Sequence, residues 1–245
     1  MANKTWMKGA VIVVLAVIAF SMAACNKVSP EEKAAQALLK ALQGNDTAAL
    51  EKALSEAGSA GLASLVASSA SPGGDFSYVL NNEKTGIWIQ KYTGNGGVVI
   101  VPEKIEDYPV VGINNNAFAG SYEWQVQKEV VTGRGYATKT TYEWETRKYE
   151  GEGGNITAVV LPDTIESIRF SAFRGCTSLH TINIPSAIKQ FGGGAFFGCT
   201  DLYNLTIPDT VTEIEWGGTA DFQGCSKLKL ATRDRITGLG YKGNF

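Results

Sequence analysis

Leu179-His180-Thr181-Ile182-Asn183-Ile184-Pro185 returns 23 residues later as Leu202-Tyr203-Asn204-Leu205-Thr206-Ile207-Pro208. Ile156 to Pro162 is a variant of the same stretch, with Val159 and Leu161 in the apolar slots. Around these segments the register holds for several residue types. Pro162, Pro185 and Pro208 are 23 and 23 apart, while Phe173, Phe196 and Phe222 are 23 and 26 apart. Cys176, Cys199 and Cys225 repeat the 23 and 26, as do Leu179, Leu202 and Leu228. The three extra residues fall within Glu215 to Ala220. Four residue types in one register define an internal repeat.

Each unit has a physical logic. Alternation at the last apolar pair predicts a short strand. Proline lacks an N–H, so it suits the strand's end. Apolar pairs three apart follow at Ile165 and Ile168, Ile188 and Phe191, and Val211 and Ile214. Ala172-Phe173 and Ala195-Phe196 come next, with Asp221 replacing the alanine in the last unit. Gly175-Cys176, Gly198-Cys199 and Gly224-Cys225 turn the chain back. One coil per unit stacks equivalent residues, with strands about 4.8 Å apart and the phenylalanines forming a spine. The fold predicted is mainly β: a short solenoid of 23-residue coils.

These units resemble the bacterial BspA-like leucine-rich repeats, whose L-x-x-L-x-I-P and AF-x-x-C segments they share. The likeness covers about residues 156 to 229, with a degenerate earlier copy at Val98 to Pro102 and Ile113 to Phe118. It implies a surface lipoprotein that recognises a protein, with adhesion to host matrix or other cells among the family's roles.

About 32 residues are inserted after Phe118, at about 121–153. Tyr122-Glu123-Trp124 and Tyr142-Glu143-Trp144 flank Thr132-Gly133-Arg134-Gly135. An antiparallel hairpin turning near Gly133 is expected. One register sets Trp124 opposite Tyr142 and Tyr122 opposite Trp144. Residues 73–97 read as an N-terminal β-hairpin cap, with Phe76 to Leu80 and Ile87 to Tyr92 as its strands. The solenoid then occupies 98–245.

The first 72 residues differ in kind. Lys4 and Lys8 precede the apolar run Ala10 to Phe20, which ends in Ser21-Met22-Ala23-Ala24-Cys25. That pattern resembles a bacterial lipobox, with Met22 where leucine is commoner, and the resemblance implies a lipoprotein signal peptide over 1–24 with Cys25 as the acylated mature N-terminus; the alternatives are an ordinary secretory signal and an uncleaved anchor helix. Residues 25–72 are rich in helix formers, and Ser29-Pro30-Glu31-Glu32 fits a capping box, so a helical stalk or linker is expected. Acyl chains then supply the membrane affinity. Loss of Lys4 and Lys8 leaves 20 basic and 24 acidic residues, a net charge of −4. This balance does not point to a nucleic-acid partner, which would want a basic face, and none is expected.

The chemistry-bearing residues favour binding over catalysis. The single histidine, His180, argues against histidine triads and histidine metal sites. The cysteine spacing lacks the close pairs zinc prefers and fits a ladder of buried thiols. No G-x-S-x-G or H-E-x-x-H occurs. No enzyme, metal or cofactor is therefore expected. Partner-binding candidates are Tyr122, Trp124, Arg134, Tyr136, Tyr142 and Trp144 on the inserted hairpin, and His180 and Tyr203 on the strand face. The expected role is that of a membrane-anchored lipoprotein of the bacterial envelope, on the outer-membrane surface or the periplasmic face. The family resemblance implies protein recognition, with adhesion to host or neighbouring cells among the roles it suggests. The alternative is a structural envelope lipoprotein without a specific external ligand.

Overall fold

A computed structural model describes residues 73–133, 139–214 and 221–245, and the single helical positions Ala37, Lys40, Ala49 and Lys52. The signal peptide, Cys25 and the rest of the stalk lie outside the described residues, as do Arg134, Tyr136 and residues 215–220, which contain the three extra positions.

The described domain opens, after a turn at Gly73–Asp75, with β1 (Phe76–Leu80) and β2 (Ile87–Tyr92), an antiparallel pair. Asn81 makes their turn: its side-chain oxygen accepts the N–H groups of Thr85 at 2.8 Å and Gly86 at 3.2 Å. There follow β3 (Gly97–Ile100), β4 (Lys104–Ile105) and β5 (Tyr108–Ile113). The two long strands are β6 (Gly120–Thr132) and β7 (Lys139–Glu152). Short strands β8 (Ile156–Val160), β9 (Ser167–Ile168), β10 (Thr181–Ile182) and β11 (Asn204–Leu205) lead to a closing helix, α1 (Leu230–Gly238).

Two sheets face each other across the core. One is wholly parallel, in the order β11-β10-β8-β3, with Val98, Ala158, Thr181 and Asn204 side by side. The other runs β1-β2-β5-β4, with β9 parallel to β5 and Ile168 bridged to Phe191. Alternation sends Val99, Val159, Ile182 and Leu205 inward, where all are buried. The phenylalanine spine lies between the sheets. Phe118 stacks on Phe173 at 5.1 Å, Phe173 on Phe196 at 5.5 Å and Phe196 on Phe222 at 5.6 Å. Other aromatic rings close both ends. Tyr92 stacks on Phe118 at 5.7 Å, and Tyr241 meets Phe222 edge-on at 5.7 Å.

The corners after the phenylalanines explain the glycines. Gly175, Gly198 and Gly224 have φ of 70°, 72° and 87°, a left-handed conformation that costs a side-chain-bearing residue strain. The following cysteines are free and buried. Each thiol donates to a phenylalanine carbonyl of the preceding coil: Cys176 to Phe118, Cys199 to Phe173 and Cys225 to Phe196, at 3.0 to 3.1 Å. The thiol ladder read from the spacing is present.

Successive coils are also tied by backbone bonds. The N–H groups of Ser171, Phe173 and Gly175 donate to the carbonyls of Gly193, Ala195 and Phe197. One coil further on, Phe196 and Gly198 donate to Asp221 and Gln223 in the same way. Gly194, the equivalent of Ser171, donates instead to the Asp221 carboxylate. An aspartate thus stands where the other coils carry alanine because a side-chain oxygen supplies the acceptor next to the inserted segment. Asp221→Ala is expected to cost about 1–3 kcal/mol, the usual cost of orphaning a buried donor, with Asp221→Asn costing less. Urea midpoints of the two variants check this.

After the last described coil, α1 supplies the partners. Thr232 Oγ1 donates to the Leu205 carbonyl at 2.8 Å, Arg233 Nε to Leu228 at 2.9 Å and Arg235 Nη2 to Val211 at 2.9 Å. The basic character of this end is therefore structural. Among the described residues no helix is long and apolar enough to cross a membrane.

Candidate functional site

The inserted segment is an antiparallel ribbon, β6 against β7, whose base is fastened to the solenoid. Tyr122 and Tyr149 are directly opposite and stack at 5.2 Å. Both hydroxyls reach Asn116: Tyr122 donates to Oδ1 at 3.0 Å and Tyr149 to the carbonyl at 3.3 Å. Burial raises the pKa of the Tyr149 phenol above its usual value. The Arg174 guanidinium lies 4.2 Å above the Tyr122 ring and 4.3 Å from that of Phe197. Backbone contact at the base is close enough to require glycine. A Cβ on Gly153 would sit 1.8 Å from the Phe118 carbonyl oxygen, and one on Gly120 2.2 Å from that of Gly175.

The register corrects the sequence expectation. Trp124 faces Arg147, Trp144 faces Gln127 and Tyr142 faces Glu129. Trp124 is not opposite Tyr142, nor Tyr122 opposite Trp144. The slip is an odd number of residues, so it moves side chains to the other face. The candidate aromatics consequently divide. Tyr122 and Trp124 share one face, 5.5 Å apart, and Tyr122 is committed to the base. Tyr142 and Trp144 lie on the opposite face, 65% and 66% exposed, against 37% for Trp124.

On the parallel sheet, His180 and Tyr203 stand in adjacent coils with rings edge-on at 5.9 Å. His180 Nε2 is 3.9 Å from Asp201, whose other oxygen holds the Lys227 ammonium at 2.5 Å. Lys229 lies 5.9 Å above the Tyr203 ring. Asn183 belongs to the scaffold: its amide accepts from the Leu161 N–H at 2.7 Å and donates to the Leu161 carbonyl at 2.8 Å. Sequence reasoning missed Asp201, Lys227, Asn116 and Arg174. The first two had a signal, since Asp201 and Lys227 are separated by the same 26 residues as Cys199 and Cys225 and so stack. Asn116 and Arg174 had none, because their contacts run to the insertion. Among the described residues no group of three or more His, Cys, Asp or Glu side chains is placed to hold a metal ion.

Residues 147–237 match a family model described as a BspA type leucine rich repeat region (6 copies). This segment is similar to BspA-type leucine-rich repeats. This region spans the coils of the parallel sheet from β8 to β11 and most of α1. It starts inside β7, so most of the hairpin lies outside it. The fold resembles a leucine-rich repeat protein of T. pallidum, 19% identical with a TM-score of 0.46, over 72% of this chain and 98% of that one. It also resembles a leucine rich cell surface protein of Faecalibacterium prausnitzii A2-165, at 28% identity and a TM-score of 0.44, over 65% of this chain and 35% of that one. A leucine-rich repeat protein of Bacteroides capillosus ATCC 29799 matches at 19% identity and a TM-score of 0.44, over 65% and 94%. No curated protein matches the chain.

Proposed function

We propose that the chain is an exported, lipid-anchored binding protein whose hairpin recognises a protein ligand. Tyr142 and Trp144 carry this reading. Two large aromatic side chains stand about two-thirds exposed on one face of a ribbon with a fastened base. Such rings give large contact area at little cost in conformational entropy and are favoured interface anchors. Trp124 serves from the opposite face and Tyr122 by holding the base, and Arg134 and Tyr136, outside the described residues, complete the set of candidates. His180 and Tyr203 add a second, polar surface on the strand face. The repeats have the protein-recognition role implied by their family, without catalysis or a cofactor.

In this reading residues 1–24 are removed and Cys25 is acylated, with 25–72 as stalk and 73–97 as cap. The envelope position, on the outer-membrane surface or the periplasmic face, is in keeping with the cell-surface description of the F. prausnitzii protein. Adhesion to host or neighbouring cells follows where the domain is displayed outward.

The test is capture of a partner on the full-length lipoprotein by cross-linking, followed by affinity measurement. Tyr142→Ala with Trp144→Ala is expected to weaken binding about 100-fold or more while thermal unfolding stays unchanged. Retention of the partner by the double variant would sink the hairpin as the site. Failure to capture any partner would favour the structural-envelope reading. For the anchor, Cys25→Ala should release the protein from the membrane fraction.

A further inference from the structure

The two edges of the ribbon are not alike. No described strand pairs with the outer edge of β6 or of β7. Free edges of this length invite another strand, and proteins commonly blunt them with charge. On β7 that protection is present: Lys139, Glu143, Glu145, Arg147, Lys148, Glu150 and Glu152 charge half its length. On β6 only Glu123, Lys128 and Glu129 are charged, and one face carries Trp124, Val126 and Val130. A lone two-stranded ribbon is marginal in water, so an added strand has work to do here.

The geometry points to a second copy of this chain as the occupant. Two β6 edges pair antiparallel about a two-fold axis at Gln127, giving a four-stranded sheet. With that centre Trp124 meets the second copy's Val130, Val126 its Lys128, Gln125 its Glu129 and Glu123 its Val131. No like charges face each other. Lys128 of each copy lies diagonal to both Trp124 and Lys128 of the other, and leaning toward the ring draws it within reach of Trp124 and away from the second lysine. Neighbouring centres fail. A centre at Val126 sets Glu123 against Glu129, one at Lys128 sets the lysines together, and one at Glu129 does the same for the glutamates. A centre at Gln125 sets the second copy's Val130 beside Gly120, whose N–H is already taken by the Arg174 carbonyl. A two-fold axis normal to the sheet keeps matching faces together. The Trp124, Val126 and Val130 rows therefore join, and the Tyr142 and Trp144 pairs of both copies share the other face. This pairing is independent of what the hairpin binds.

The full-length chain in mild detergent tests it. Gln127→Cys is expected to form a disulfide-linked dimer under mild oxidation, because position 127 meets itself across the axis. Gln125→Cys, which faces position 129, should cross-link far more slowly, and the unaltered chain controls for Cys25. Trp124→Lys places a second cation beside Lys128 and should weaken dimerisation about tenfold or more by light scattering, with circular dichroism unchanged. A monomer mass at about 100 µM would overturn the proposal, since mass action favours the dimer there. So would cross-linking of Gln125→Cys or Thr146→Cys as fast as Gln127→Cys. Either result would leave the ligand-binding reading standing.

Discussion

Replacing Phe196 with alanine is expected to lower the unfolding free energy by about 3–5 kcal/mol, the range for deleting a buried phenylalanine. Phe196 is completely buried and central to the spine. It stacks on Phe173 and Phe222, and Phe191 meets it edge-on at 5.6 Å. In a solenoid each coil touches only its neighbours, so stability is a sum of coils and the interfaces between them. A cavity here damages two interfaces at once. The backbone bonds from Phe196 and Gly198 to the next coil hold the surrounding frame in place and limit how far it can collapse to fill the void. Urea unfolding monitored by circular dichroism measures the loss. A cost under about 1.5 kcal/mol, the level of removing one methylene, would mean the rings are not the core that the distances describe.

The spine was legible in the sequence because stacking turns a period in sequence into contact in space. Phe173, Phe196 and Phe222 need only one rule to meet, and the cysteines and the left-handed glycines obey the same rule. Asp221 broke the rule and was visible as a departure, but its reason needed the backbone: the Gly194 N–H takes a carboxylate oxygen beside the inserted residues. The hairpin register was not legible. Aromatic residues on both strands suggested that they pair with each other. What sets the register is the base, where Tyr122 and Tyr149 converge on Asn116 and glycines pass under the carbonyls of Phe118 and Gly175. These contacts lie between the insertion and the solenoid, and no periodicity encodes them. The result is a ribbon whose apolar side chains lie on one face in β6 and on the other in β7. That arrangement leaves Tyr142 and Trp144 in solvent.

The same thiol ladder that supports the corners should make the protein lose stability in alkali. Burial pushes the Cys199 thiol well above its ordinary pKa, with the neighbouring Cys176 thiol adding to the rise. For Cys225 the neighbouring Cys199 thiol is the larger cause and burial the second. Both directions have one sign. The native state keeps these protons where the unfolded chain, with thiols near pKa 8.5, has released them. Stability contributed by the two thiols is thus fully present below about pH 8.5 and falls as the pH rises beyond it. Each thiol lowers the unfolding free energy by up to about 1.4 kcal/mol per pH unit, so the pair costs about 5 kcal/mol within two units. Tyr92 and Tyr241, raised mainly by burial, add to the same trend at higher pH; Tyr241 is pushed up to about 12. Urea midpoints recorded from neutral pH upward should be flat and then fall steeply. The Cys199→Ala, Cys225→Ala double variant starts lower, because it loses packing, yet its midpoint should change little until tyrosines ionise. If both proteins fall with equal slope above pH 8.5, the ladder is not the source of the alkaline loss. Alkylation gives a second reading of the same physics. A thiol that stays protonated and buried resists iodoacetamide until the coil opens, so at fixed pH the rate at Cys199 should rise with urea in step with unfolding.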